Sequence, residues 1–546
     1  MRCFWVSRSH VLRNLQIRAK DSGKKFSPQL VHRRMGLKLK AGTDFASVYA
    51  LARKAAPEAF DEQSIRNLIG GEWVVLGNQI SHRTPVDQSE IIGPSMINLQ
   101  QAEHAVAQAA KMDAEWAKVN LDERKTRVKK AVELLRENRD TIALLLVWEI
   151  GKPWKIACAD VDRCIEGVEW YLEEIDRQME GRTPLGGPVS NIASWNYPLS
   201  VLVHAELVQL LAGNAVIAKT PTQGGFHALT LSHALMARAG LPVTLISGSG
   251  AELSSALVTS PSLGALAFVG GRNNGRAAAS SLTSLAKRHI LEQEGLNSWG
   301  VWNYSNWDEL AAHLTKGFEY AKQRCTAYPR YVVQRELFPE FLEMYTQVVK
   351  NLKFGHPLAV EDPKDDFPEL HFGPVISAKK AQELDEAFNE AVSRGGVPLF
   401  KGLLASGSFL DGQDTSAYIA PRTVLEPPKS WSIHHSEPFG PLDSVVLADT
   451  EAELIAAMNV SNGNLVSSVA TDDMAFAERV REESQAFKFG INKPRSRGDK
   501  AEVFGGKGAS WRGCFVGGDL LVESVTQGPG QLYGNFSDGS RYPQNA

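Results

Sequence analysis

From Val189 to Leu291 short β-rich runs alternate with helix-length amphipathic segments, and that alternation constrains the fold more than any other feature of the chain. Ser190 to Ala193, Ala215 to Ala218, Val243 to Ser247, Ala265 to Val269 and His289 to Leu291 read as strands. Leu199 to Ala212, Phe226 to Ala239, Glu252 to Thr259 and Asn274 to Ala286 read as the helices between them. Strand, helix, strand repeated in this way predicts a parallel sheet with helices on its faces, and such sheets bind ligands beyond the carboxyl ends of their strands. Gly213-Asn214 and Gly240 supply the left-handed residues that end two of these helices.

Upstream, helical periodicity from Leu99 to Met112, Leu121 to Trp148 and Ile156 to Met179 predicts a helical layer. Downstream, a second α/β stretch extends from Trp299 to about Asn492, with helices near Trp307 to Tyr320, Phe338 to Leu352 and Ala378 to Ser393. A chain of 546 residues, 43% hydrophobic and 22% charged, has enough apolar surface for two or more domains. Lys and Arg total 59 against 62 Asp and Glu, a balance that offers no field for a phosphate backbone, so nucleic acid is not an expected partner. Nor is a membrane: the longest apolar runs, such as Thr141 to Val147, fall far short of the about 20 residues a spanning helix needs.

The five cysteines, at positions 3, 158, 164, 325 and 514, form no CxxC pair and no zinc-like cluster with His. That predicts no metal site and a reducing, cytoplasmic location. Residues 1–40 carry eleven Lys or Arg and one acid, Asp21. Three readings of them stay open: a transit-like targeting segment, a disordered basic arm, or a translation start placed upstream of a true one at Met35. The polar, Gly- and Pro-containing stretch from Gln527 to Ala546 is expected to run over the surface.

Three local features point to chemistry. Cys325 lies in Gln323-Arg324-Cys325-Thr326-Ala327. A free thiol titrates near about 8.5, so a nucleophilic role needs a nearby cation, which Lys322, Arg324 or Arg330 could supply. Phe268-Val269-Gly270-Gly271-Arg272-Asn273-Asn274-Gly275 sits where a strand gives way to a helix, and glycines there let backbone N–H groups approach an anion. No Lys-Ser/Thr closes this turn, which disfavours a nucleotide triphosphatase. Lys219-Thr220-Pro221-Thr222 ends a strand and puts an ammonium and a hydroxyl at the sheet's carboxyl edge. Taken singly, each feature has a structural alternative: a buried cysteine, a tight turn, a solvated lysine.

In order along the chain come Leu68-Ile69-Gly70-Gly71-Glu72-Trp73, Trp148-Glu149-Ile150-Gly151-Lys152-Pro153, Trp195-Asn196-Tyr197-Pro198, and Ala212-Gly213-Asn214 with Lys219-Thr220-Pro221. The Gly270 to Gly275 turn, Leu291-Glu292-Gln293-Glu294-Gly295, the Cys325 segment, Glu437-Pro438-Phe439-Gly440-Pro441 and Phe504-Gly505-Gly506-Lys507 complete the series. From about Leu68 to Val525 this series resembles the aldehyde dehydrogenase superfamily. The resemblance implies an α/β chain with a Rossmann-like dinucleotide-binding domain over 56–293, a catalytic domain over 294–505 and a C-terminal return segment and flexible tail over 506–546. A basic, disordered extension over 1–55 precedes them, and a short oligomerisation segment lies near 180–190.

The same resemblance implies NAD or NADP as cofactor and oxidation of an aldehyde to a carboxylic acid. Cys325 then attacks the aldehyde, Asn196 and the Cys325 backbone N–H hold the oxyanion, and Glu292 activates the water that hydrolyses the thioester. Trp195, Lys219, Thr220, Gln223, Gly270, Gly271, Gly275, Glu437 and Phe439 are the implied cofactor-binding residues. A CoA-acylating enzyme and an inactive scaffold of the same fold are the rival readings, and Glu292 speaks against the first.

Several positions depart from the family pattern. Gln293-Glu294-Gly295-Leu296 replaces the usual Leu-Gly-Gly-Lys, which makes Glu294 a competing base. Lys322 stands where glycine is usual and Tyr320 where asparagine is frequent. Gln223 stands where NAD-preferring relatives often carry glutamate, and a neutral amide there predicts tolerance of NADP. The short Gly181 to Gly187 stretch predicts a homodimer rather than a tetramer. Tyr197, Val201, His204, Arg324 and Thr326 are expected to flank the aldehyde tunnel, with Arg324 favouring a polar or anionic aldehyde.

Overall fold

The computed structural model describes residues 36–192, 194–282, 287–461, 463–495 and 499–528. Fifteen strands in two sheets organise the part that matters for the site. They are β1 (Asn67–Ile69), β2 (Glu72–Val74), β3 (Val189–Ile192), β4 (Val216–Lys219), β5 (Val243–Ile246), β6 (Ala265–Val269), β7 (Arg288–Glu292), β8 (Ser298–Val301), β9 (Arg330–Gln334), β10 (Val397–Lys401), β11 (Arg422–Leu425), β12 (Leu442–Ala448), β13 (Asn464–Ala470), β14 (Ala486–Ile491) and β15 (Trp511–Gly513).

The first sheet has the order β15-β7-β6-β3-β4-β5-β1-β2. Its five central strands are parallel, with antiparallel strands at both margins. In order of synthesis the parallel five run 3-2-1-4-5, so the strand order reverses between β3 and β6, the switch point beyond whose carboxyl ends such sheets bind ligands. Every residue of β4 and β5 is buried, as expected for strands covered on both faces. The second sheet has the order β10-β11-β12-β9-β8-β13-β14, parallel except for β10 at its edge. One hydrophobic core runs through both sheets and takes in Val216 and Val243 from the first with Val333 and Val445 from the second.

The expected strands of the first sheet are present within a residue or two of their limits, and Gly213 and Gly240 have φ of 99° and 81°. Four expectations need correction. The single helix from Leu121 to Trp148 is two helices, Leu121–Glu137 and Arg139–Ile150. Asn138 breaks it: its backbone leaves helical angles at ψ 11°, and its side-chain amide donates to the Leu134 carbonyl. The helix from Leu199 begins as a wider π turn, Pro198–Val203, where the Ser200 N–H donates to Asp160 Oδ1 at 2.9 Å. Glu252 to Thr259 is a π turn over Ser255–Thr259 only. The helix expected from Asn274 to Ala286 is Arg272–Ser281, and its last expected residues lie outside the described ones.

The disordered arm expected over 1–55 does not hold over residues 36–55. Lys38–Leu39 pairs antiparallel with Ala359–Val360. Phe45–Ala55 is a helix capped by Asp44, which buries Val48, Tyr49 and Ala52 along one face. Those apolar residues recur at helical spacing, a pattern the basic bias of the preceding stretch obscures. Residues 1–35 lie outside the described ones, as does the tail from 529. Within the expected oligomerisation segment, Thr183–Pro184 pairs antiparallel with Thr526–Gln527 of the same chain.

Candidate active site

Strand ends assemble the first half of the site. β4 ends at Lys219, β6 ends before Gly270 and Gly271, β7 ends at Glu292, and Trp195 and Asn196 follow β3. The pairings Ile192 with Lys219, Ile192 with Phe268 and Val269 with Glu292 set these ends side by side at one edge. Lys219 is 5% exposed, and its Nζ donates to the Thr220 carbonyl at 2.8 Å. Burial pushes this ammonium down to about 8. The Thr220 hydroxyl bonds to Ser247 Oγ at 2.7 Å, while Gln223 is exposed. The Gly270 N–H donates to the Glu292 carbonyl at 3.1 Å, and Gly271 is the N-cap of the helix Arg272–Ser281. A Cβ on Gly275 would stand 2.6 Å from Gln293 Cδ, so glycine there lets this helix lie against the residue after β7 without moving that side chain.

The turn leading into Cys325 forms the second half. Past the helix Trp307–Gly317, Tyr320, Ala321 and Lys322 take φ of 58°, 53° and 58°. Gln323 is then held at both ends of its side chain: Nε2 donates to the Pro374 carbonyl at 3.2 Å and Oε1 accepts the Ile376 N–H at 2.8 Å. Its own carbonyl accepts Asn196 Nδ2 at 3.0 Å. That bond brings the 7% exposed Asn196 to the turn that carries the half-buried Cys325. Asn297 fixes the far side, donating from Nδ2 to the carbonyls of Cys325 and Ala327, each at 2.7 Å.

Arg324 Nη2 donates to the carbonyls of Lys316 at 3.3 Å and Gly317 at 2.9 Å, at the negative end of a helix, while its Nε is buried with no hydrogen-bond partner among the described residues.

Aromatic rings join the two halves. Trp195 packs edge-on to Tyr320 at 6.3 Å and to Phe439 at 5.8 Å, and Tyr197 meets Tyr320 at 6.0 Å. Beneath Tyr197, at 4.0 Å from its ring, lies the ammonium of the buried pair Lys152–Asp160.

Glu437, two residues before Phe439, belongs to a cluster with Glu292, Glu294, Lys380 and Arg272. Burial, reinforced by the charge of Glu294, raises the Glu437 carboxyl well above the carboxylate range, and Lys380 opposes the shift. Its Oε1 is buried with no hydrogen-bond partner among the described residues. Glu294 is turned toward Arg272, with its Oε2 3.5 Å from the Arg272 N–H and its Oε1 3.4 Å from Nε.

The expected site residues thus fall into two connected groups, one at the strand ends and one around Cys325. Sequence reasoning missed Asn297, the partnership of Lys322 with Asp443, and Lys380. Asn297 and Asp443 each left a signal, a polar residue abutting or interrupting a buried apolar strand, and such a residue needs a partner. Lys380 left none, since in sequence it is an ordinary surface lysine near a helix start.

Residues 73–527 match the model of the aldehyde dehydrogenase family. Among relatives, the glutarate-semialdehyde dehydrogenase of Pseudomonas putida is 28% identical, over 82% of this chain and 93% of its own. The 1-pyrroline-5-carboxylate dehydrogenase 1 of Halalkalibacterium halodurans is 27% identical, over 76% of this chain and 82% of its own. Among solved structures, the NADP-dependent glyceraldehyde-3-phosphate dehydrogenase from Bacillus halodurans, complexed with NADP, superposes with a TM-score of 0.76. It is 24% identical, with 86% of this chain and 98% of that one covered.

Proposed function

The chain belongs to the aldehyde dehydrogenase family, and from that premise we propose the parts its own residues take in oxidising an aldehyde to a carboxylic acid with NAD or NADP. The Cys325 thiolate attacks the carbonyl carbon, forming a C–S bond and moving the π electrons onto oxygen. Asn196 spends one N–H on the Gln323 carbonyl, and this fixes the amide so that its second N–H can meet that oxyanion. One such donor lowers the barrier by about 3 kcal/mol. NAD(P), when bound, accepts the hydride from the captured carbon. The oxyanion's electrons re-form the C=O bond, which leaves a thioester on Cys325. Glu292 then takes a proton from the attacking water, the C–S bond breaks, and the thiolate is restored as the acid leaves.

For the dinucleotide, the orphaned Glu437 Oε1 suits ribose hydroxyls, which donate. Lys219 and Thr220 sit at the end of β4 for the second ribose, and the exposed Gln223 that follows them is a neutral amide that does not repel a 2′-phosphate. Gly270, Gly271 and Gly275 open the start of the helix Arg272–Ser281 to the pyrophosphate. Trp195 and Phe439 form the apolar wall at the nicotinamide end. The short segment near 180–190 supports a homodimer, and the reduced cysteines among the described residues fit a cytoplasmic protein.

The observation that carries this reading is the Asn196–Gln323 hydrogen bond, because it sets a free amide N–H beside the nucleophile's turn. A panel of aldehydes with NAD and NADP, followed by absorbance of the reduced nicotinamide, tests it. Turnover independent of CoA, abolished in Cys325→Ala and lowered about 10²- to 10³-fold in kcat by Asn196→Ala, is the expected result. Acyl-CoA formed only when CoA is supplied would instead favour the acylating reaction.

A further inference from the structure

The turn leading into Cys325 is made from residues that ordinarily avoid its geometry. Tyr320, Ala321 and Lys322 all have φ between 53° and 58°, and none is glycine. A Cβ at such angles crowds the following carbonyl, so three in succession persist only where the surroundings impose them. Part of the imposition comes from Tyr320, whose N–H donates to the His371 carbonyl at 2.8 Å and whose hydroxyl donates to the Ile150 carbonyl at 3.2 Å.

Lys322 supplies the rest. Its side chain is 1% exposed, and its ammonium donates to Asp443 Oδ1 at 2.6 Å and Oδ2 at 2.7 Å, to the Tyr331 hydroxyl at 2.9 Å and to the Tyr328 carbonyl at 3.0 Å. The Tyr345 hydroxyl donates to Asp443 Oδ2 at 2.7 Å, and the Phe318 ring lies 4.1 Å from Nζ. All three ammonium hydrogens are therefore engaged, which leaves this lysine no proton chemistry with a substrate. Its anchors, Tyr331 on β9 and Asp443 on β12, belong to adjacent parallel strands in fixed register. The turn is tethered through its last strained residue to two interior strands of the second sheet.

We propose that Lys322 is a positioning residue for Cys325: clasped by Asp443, it forces a residue with a Cβ to keep the left-handed turn, so that the Gln323 carbonyl meets the Asn196 amide and the thiol is delivered beside it. The inference rests on Cys325 being the nucleophile. Glycine at 322 would reach the same angles without a tether, and that makes the idea separable from a general structural role.

Two double variants of the full-length chain test it, each removing both charges so that neither is left buried alone. Lys322→Met with Asp443→Asn keeps a Cβ and loses the clasp; Lys322→Gly with Asp443→Asn loses both the clasp and the need for it. The expected result is a folded methionine pair with kcat at least tenfold below wild type and KM within threefold, and a glycine pair restored to within threefold of wild-type kcat. Wild-type kcat in a folded methionine pair overturns the proposal, and so does a glycine pair as slow as the methionine pair. Should the methionine pair fail to fold, the glycine pair decides: wild-type kcat upholds the proposal, while a folded but slow protein, or one that also fails to fold, overturns it. Turnover surviving in Cys325→Ala would remove the nucleophile itself, and the role of Lys322 with it.

Discussion

Lys219 illustrates how burial at a strand end sets the chemistry of one residue. Its ammonium is pushed from the usual 10.5 down to about 8 because water has been stripped from it. An unfolded chain therefore holds this proton more tightly than the native one between those two values, and stability gains with rising pH across that window. The consequence for a bound phosphate runs the other way, since only the protonated form attracts it. The dissociation constant for NADP is expected to rise about tenfold from pH 7 to pH 9, and that for NAD by clearly less. Equilibrium fluorescence titration without aldehyde measures both, and parallel curves would refute a charge contact at Lys219. At this scale the sequence was most legible where the family resemblance named a residue. The resemblance points to Asn196, which meets the Gln323 carbonyl, but not to Asn297, which pins the carbonyls of Cys325 and Ala327. Its place against a buried strand signals that it needs a partner, but nothing local says which distant carbonyls that partner will be.

Among the elements, β15 shows how a three-residue strand can govern a larger one. It runs antiparallel to β7 with Ile290 opposite Gly513 and Glu292 opposite Trp511, and the Ser510 carbonyl accepts the Gln293 N–H at 2.9 Å. Gly513 has φ 92°, and a Cβ there would stand 2.1 Å from the His289 carbonyl oxygen. Gly513→Ala thus combines backbone strain with a clash that no side-chain rotation relieves, and should cost about 2–4 kcal/mol. Thermal unfolding reads the loss, and kcat should fall with it because β7 ends in Glu292; an unshifted melting temperature would show that β15 is dispensable. The five parallel strands were readable because each is a compact run between turn residues, within one or two positions of its true limits. The helices were harder. Their periodicity continues through Asn138, where one side chain competing for a backbone carbonyl is enough to divide a helix, and a π turn has no pattern of its own.

For the whole molecule, the succession of sheets is what the order of motifs implied, but the coupling between them was out of reach of any local pattern. Lys322 meets Asp443 across 121 residues, Asn214 Nδ2 meets the Val525 carbonyl across 311, and Tyr171 meets the Gly518 carbonyl across 347. Such partners are chosen by the fold, not by spacing. A chain ended after Lys507 lacks β15 and the segment at 508–510 that braces β7, and is expected to be devoid of aldehyde oxidation and to unfold at a markedly lower temperature than the full chain. Calorimetry and turnover of the truncated protein test this, and a shortened chain that still oxidised aldehydes at the full rate would refute it. Synthesis gives the missing strand a further meaning. A ribosome emits the thiol well before the residues that close the sheet, an interval of about 10 to 40 seconds at ordinary translation speeds. During that time Cys325 exists without the strand that pairs with β7 beside Glu292, so an interrupted message is expected to yield an inert fragment rather than a careless oxidant.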